Sequence, residues 1–228
     1  MKEKIPPECA ECNLAVKERV CFMPGGKGSK GCPTLGNKKL VAKAKAAYQS
    51  PDIMEFARQA SIQEGECYAG REQKPYVMHP TKPRMLEICE FARKMGYTRL
   101  GLVFCMGLDK EAVIVNRILQ NQGFEVVSVI CKAGSEPKEF IGIQETEKVR
   151  IGTRHESMCN PILQAMVVNE AKTDFNVLLG LCVGHDSLFF KYAEAPTTVL
   201  AVKDRLTGHN PLAPIYTSGS YAAWISKA

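Results

Sequence analysis

No apolar run in this sequence approaches the roughly 18 residues needed to cross a bilayer. The opening MKEKIPPECAEC also lacks the apolar core of a secretory signal. Both absences point to a cytoplasmic protein without a membrane partner. Neither the glycine fingerprint of dinucleotide-binding turns nor the phosphate loop of nucleotide enzymes occurs, so an α/β fold here would not imply a nicotinamide or nucleotide cofactor. Net charge is absent from most of the chain. Residues 1–50 hold ten Lys or Arg against four Glu, which accounts for the whole formal charge of +6. A basic amino-terminal stretch can meet nucleic acid, but this one has few aromatic residues for base stacking and no recognition helix. A solvated lysine-rich face is the simpler reading.

Cysteine is abundant, with ten in 228 residues. Where thiols are kept reduced, such a number serves metal binding or catalysis rather than disulfides. The hydrophobic fraction of 45% suffices for one α/β domain with a small appended module.

Residues 1–36 carry four cysteines, several glycines and little periodicity, so a metal would have to supply the cross-links that a core cannot. The spacing Cys9-x2-Cys12-x8-Cys21-x10-Cys32 suits a tetrahedral thiolate site, because a close C-x2-C pair places two sulfurs on one ion. Zinc is the default occupant. The Cys32-Pro33 ending also fits iron–sulfur ligation, so a second cluster is the alternative. Free thiols in a flexible tail are the bland reading.

Residues 37–228 read as an α/β domain, with helical cover over 37–95 and a Rossmann-like core over 96–228. Helices are expected in NKKLVAKAKAAYQ, in a segment opened by Ser50 as cap and Pro51 at the first position, and over 84–95, stopped by Gly96. Strands over 99–104, 124–130, 175–181 and 197–202 then alternate with helices over 109–122, 161–172 and 187–193. This alternation predicts a small parallel sheet of about four strands. The connection 132–160 is long for a compact domain, which marks it as functional.

A second cysteine set depends on that fold. Cys105, Cys131 and Cys182 each follow an apolar strand run, and carboxyl ends of parallel strands share one edge, where ligand crevices form. Cys159 precedes NPILQAM, where Pro161 opens a helix whose amino terminus favours thiolate. FCMGLDKEA and LCVGHDSLF share C-x-G-x-D: a strand-end cysteine, a turn glycine, and Asp109 or Asp186 placed to cap the next helix. The bland reading makes each cysteine a small buried hydrophobe. That reading holds for Cys89 on its apolar helix face, and Cys67 is undecided.

The set suggests a 4Fe–4S cluster held by Cys131, Cys159 and Cys182, with Cys105 as a weak fourth ligand or an open iron in its place. Lys132, His185, Asp186 and Lys203 are the candidate acid, base or anion-binding groups, and His209, Asp204 and Arg205 join them at the same edge. An Asp–Arg pair within a solvated loop is the bland account of the last group. Sulfur removal or transfer on a small molecule is the expected reaction class. The alternatives are an electron-transfer or metal-handling protein without turnover, and a zinc-stabilised regulator that binds a ligand or nucleic acid.

The motifs CAEC, CMGLDKEA, SVICKAG, CNPILQAMVVN, GLCVGHDSLF and APTTVLAVKDRLTGHNP together resemble an uncharacterised cysteine-rich family of anaerobic bacteria and archaea. That family is a domain of unknown function whose members carry a metal-binding label. The resemblance covers nearly the whole chain. It implies a metal role for Cys9, Cys12, Cys21 and Cys32, and it directs attention to Cys105, Cys131, Cys159 and Cys182. It implies no particular reaction.

Overall fold

The computed structural model describes residues 5–227. Contacts divide the chain into two compact units, Met1–Ile62 and Gln63–Ala228. The division falls inside a helix. The first unit holds a short helix α1 (Pro33–Gly36), then α2 (Lys38–Ala47) and most of α3 (Pro51–Glu66). Asn37 caps α2 through its side chain, which accepts from the Leu40 amide. Pro51 opens α3 as read, because its missing N–H is not needed in a first turn.

The second unit begins with α4 (Arg84–Lys94), which ends before Gly96 at φ +70°. Four parallel strands follow: β1 (Arg99–Phe104), β2 (Glu125–Ile130), β3 (Phe175–Leu179) and β4 (Thr197–Ala201). They are joined by α5 (Asp109–Asn121), α6 (Pro161–Glu170) and α7 (His185–Tyr192), and a short α8 (Ala213–Tyr216) comes last. The strand order is β2-β1-β3-β4. Central β1 and β3 are buried along most of their length because both faces are covered, with Arg99 at the start of β1 and the buried Asn176 in β3 as polar exceptions, whereas the edge strands are half-buried.

The chain leaves β1 towards β2 on one side and β3 towards β4 on the other. Their carboxyl ends therefore flank the topological switch point, where α/β sheets open a crevice. Right-handed crossovers put α5 on one face and α6 and α7 together on the other, and α6 packs against α7. The core beneath joins Val103, Val129, Ala165, Val168, Leu178, Leu181 and Phe189 to Cys105 and Cys131.

Two local readings need correction. Asp109 and Asp186 do not cap their helices: Leu108 and Gly184 hold the cap positions, and the aspartates lie within the first turns, where a negative charge still suits the helix dipole. The third strand ends at Leu179, not at 181, because Gly180 turns the chain at φ +71°. Cys182 thus stands three residues beyond the strand, although Gly180 and Lys203 still donate backbone hydrogen bonds to Ala201 and Leu181.

Candidate functional site

Cys105 follows β1 directly and Cys131 follows β2, and parallel pairing continues through them. The Cys105 amide donates to Leu179 and the Cys131 amide to Phe104. Cys131 is 2% exposed, and its sulfur accepts from the Met106 amide at 3.2 Å.

The long connection brings in the third sulfur. Its two ends are tied together: the Asn160 amide donates to the Cys131 carbonyl at 2.7 Å, and Lys132 Nζ donates to the Ser157 carbonyl. Between them the loop is held by Lys148, whose side chain is 2% exposed and pairs with Glu139 and Glu145 at 2.6 Å each. A second ion pair, Lys138–Glu156, lies at 2.5 Å. The loop therefore works as a clasp. Cys159 comes to rest one residue before Asn160, the side-chain cap of α6, with its sulfur 3.9 Å from that of Cys131.

Three sulfurs form a connected row, Cys105–Cys131–Cys159. Cys131, the most buried, retains its proton, and its pKa is driven up by the two sulfurs it serves and by burial. Cys105 is correspondingly lowered to about 5, chiefly by Cys131, then by the Gly107 amide and the Lys203 ammonium. Cys159 is lowered to about 4, chiefly by Cys131, then by His185 and Lys132. The three thiols therefore titrate together, with Cys131 the last to lose its proton.

Cys182 is pushed upward by burial, opposed by Arg205, whose guanidinium donates to its sulfur at 3.0 Å. It senses the charges of both Cys105 and Cys159 but lies outside the hydrogen-bonded row. The sequence reading takes Cys131, Cys159 and Cys182 as the ligands and Cys105 as a weak fourth; in the structure Cys105 is the one that joins Cys131, and Cys182 stands beyond the turn at Gly180.

The positive groups gather as expected, with altered roles. Lys203 reaches so close to Gly107 that a Cβ there would stand 2.6 Å from Nζ. His185 lies beside Cys159, which raises its pKa, and its buried Nδ1 meets no hydrogen-bond partner among the described residues. None of Lys132, Lys203 and Arg205 has a carboxylate partner among the described residues. Asp186 accepts from the Ser187 amide within the first turn of α7.

His209 acts at one remove from the crevice. At φ +68° its Nδ1 accepts from the Asp204 amide at 3.1 Å, while Asp204 Oδ1 accepts from the Leu206 and Thr207 amides at 3.0 Å each. Asp204 is thus spent on the loop backbone, and the Asp–Arg pair read from the sequence is not formed. The closed loop fixes the positions of Lys203 and Arg205. Gln164 had no signal in the sequence beyond its place in the CNPILQAM motif. It is fully buried, and its Nε2 donates to the Phe104 and Val129 carbonyls, tying α6 to the last turns of β1 and β2 just below the sulfurs.

In the first unit, Cys12 has its pKa lowered chiefly by the Leu14 amide and by Ser29, with Arg19 contributing. Arg19 bridges the Leu14 and Cys12 carbonyls at 2.8 Å each. Amide donation to a C-x2-C sulfur is the backbone arrangement that holds a thiolate for a metal. Cys32 packs on Gly28, where a Cβ would stand 2.9 Å from the sulfur. Cys9 and Cys21 are exposed.

Among the described residues, no three Cys, His, Asp or Glu side chains converge as a ready metal-holding group. The donor chemistry nevertheless fits a soft ion at the sheet edge. Two thiolates on one tetrahedral ion with bonds of about 2.3 Å stand about 3.8 Å apart, close to the 3.9 Å between Cys131 and Cys159. Thiolates on a metal leave a net negative charge, and Lys132, Lys203 and Arg205 stand where they offset it. Cys67 and Cys89 are structural: Cys67 is buried and donates to the Gln63 carbonyl at 3.0 Å, and Cys89 is 1% exposed in the core.

No solved structure matches the chain. An uncharacterised protein of Methanocaldococcus jannaschii, MJ0455, is 37% identical over 210 residues, covering 92% of this chain and 94% of its own length. Residues 32–200 match the family described as protein of unknown function DUF1847, which takes in all four cysteines of the crevice. By the length of this match and the identity of its archaeal relative, the chain belongs to the DUF1847 family.

Proposed function

We propose that the crevice is a thiolate metal centre in which Cys105, Cys131, Cys159 and Cys182 hold an iron–sulfur cluster, and that the protein acts in sulfur removal or transfer on a small anionic substrate. The observation that carries this reading is the row of three sulfurs at the carboxyl edge of the sheet, held at the ends of β1 and β2 and at the start of α6, beside cations that have no carboxylate partner among the described residues. An iron with an open position supplies Lewis acidity and an affinity for substrate sulfur. The chain's own groups supply the rest. Lys203 and Lys132 bind and orient an anion, Arg205 steadies Cys182, and His185 beside Cys159 is the group placed to carry a proton at the rim.

The 3.9 Å separation of Cys131 and Cys159 favours a second reading, a single zinc or iron ion without turnover. Each ligand of a cubane binds its own iron, which sets ligand sulfurs farther apart than two ligands on one ion. In either reading zinc or a second cluster occupies the amino-terminal cysteines.

Metal and acid-labile sulfide analysis of protein purified without oxygen tests both. Iron with equimolar sulfide that is lost in Cys131→Ala and Cys159→Ala supports the cluster enzyme. One zinc or iron per crevice without sulfide supports the second reading. Full metal content in both variants refutes a crevice centre.

A further inference from the structure

Cys131 and Cys159 lie 28 residues apart in sequence, yet their sulfurs are in contact at 3.9 Å. The contact is built into the backbone, because the Asn160 amide is bonded to the Cys131 carbonyl and the Met158 amide to the Glu136 carbonyl. An isolated bridge between Pro137 and Ser157 continues this pairing. The two main chains are therefore tied together beside the sulfurs, which have to close from 3.9 Å to a bond of about 2.05 Å. The partners also differ in access: Cys131 is sealed in the core and Cys159 is partly exposed. That asymmetry matches a dithiol in which one sulfur meets the reagent and the other resolves the product.

We propose that Cys131 and Cys159 form a redox-active pair that exchanges with small-molecule disulfides, and that the disulfide and the crevice metal exclude one another. The second half rests on the metal reading above. Cys159 thiolate attacks one sulfur of the small disulfide RSSR, forms the mixed disulfide and expels one thiolate RS⁻. Cys131 then gives up its proton and attacks the Cys159 sulfur, which forms the intramolecular bond and expels the second RS⁻. The protein loses two electrons and the one proton of Cys131, which an expelled RS⁻ takes up, so RSSR becomes one RSH and one RS⁻ that equilibrates with solvent. Oxidation consumes two of the thiolates a metal requires, so it releases the ion; metal in turn removes the attacking thiolate.

The full-length protein, reduced and metal-free, is treated with glutathione disulfide and digested with trypsin. Cys131 falls in peptide 118–132, Cys159 in 155–172, Cys105 in 100–110 and Cys182 in 173–191. The expected product is 118–132 joined to 155–172, with two hydrogens lost. Cys105→Ala retains it and Cys159→Ser, at a partly exposed position, abolishes it even where Cys131→Ala compromises folding. Joining of 100–110 to 118–132, or mixed disulfides alone, overturns the proposal.

Zinc separates the two halves. With free zinc at about ten times its dissociation constant, exchange slows about tenfold. Unchanged exchange with the same product keeps the dithiol and refutes metal at this site. Zinc that shields the crevice thiols from alkylation while the product never forms keeps the metal and overturns the dithiol.

Discussion

Cys159 illustrates how a single residue acquires its chemistry from its neighbours. Its pKa is lowered to about 4, chiefly by the contact with Cys131 and secondarily by His185 and Lys132. The sign is that of a depressed acid: the charged form, and whatever stability its contacts lend, is fully present above the ordinary thiol range and is lost as pH falls through about 4. In the metal-free protein at pH 6, iodoacetamide should modify Cys159 well ahead of the buried Cys131 and Cys89, as read by peptide mass. In His185→Ala the midpoint of Cys159 reactivity should move to higher pH, since one lowering group is gone. A second residue-scale outcome concerns Gly107. An alanine there would meet the flexible tip of Lys203, so folding should change little. Displaced Lys203 would no longer depress Cys105, and thiolate ultraviolet absorbance should then appear at higher pH.

At the scale of elements, the site depends on where strands stop. Gly180 turns the chain at φ +71°, and a Cβ on it would stand 2.0 Å from Leu108 Cδ1. Gly180→Ala should therefore cost about 2–4 kcal/mol in urea denaturation, combining backbone strain with overpacking. Gly96→Ala serves as the comparison: its φ of +70° is similar, but nothing lies within 4 Å of the new methyl. It should cost only about 1 kcal/mol, from strain alone. The strand cores of β1 to β4 were legible because apolar runs at crossover spacing have few other uses. The end of β3 was not, since LLGLC reads as one run until Gly180 takes a positive φ. The clasp of the 132–160 loop was equally hidden, because ion pairs such as Lys148 with Glu139 and Glu145 carry no periodicity.

For the whole molecule, two units with their own internal contacts would make loss of the proposed metals a local event. The segment 9–36 has no buried hydrophobic residue of its own, whereas the sheet unit has a continuous core. Removing metal with a chelator under reducing conditions should raise amide exchange across 9–36 and leave β1 and β3 protected, as followed by hydrogen exchange. Equal loss of protection in the sheet would mean that the crevice metal also supports the core.

The order of apolar runs and helices by itself determined that the chain forms a parallel α/β sheet, and C-terminal placement on those runs determined that Cys105 and Cys131 reach one edge. Those are consequences of local pattern and of the handedness of crossovers. Which cysteines touch is a matter of tertiary structure. The switch point lies between β1 and β3 because of strand order, Cys159 arrives only through the loop clasp, and Arg205 reaches Cys182 only because Asp204 and His209 close their loop. Contacts between residues distant in sequence depend on pairing and packing energies summed over the whole fold, and no spacing rule encodes them.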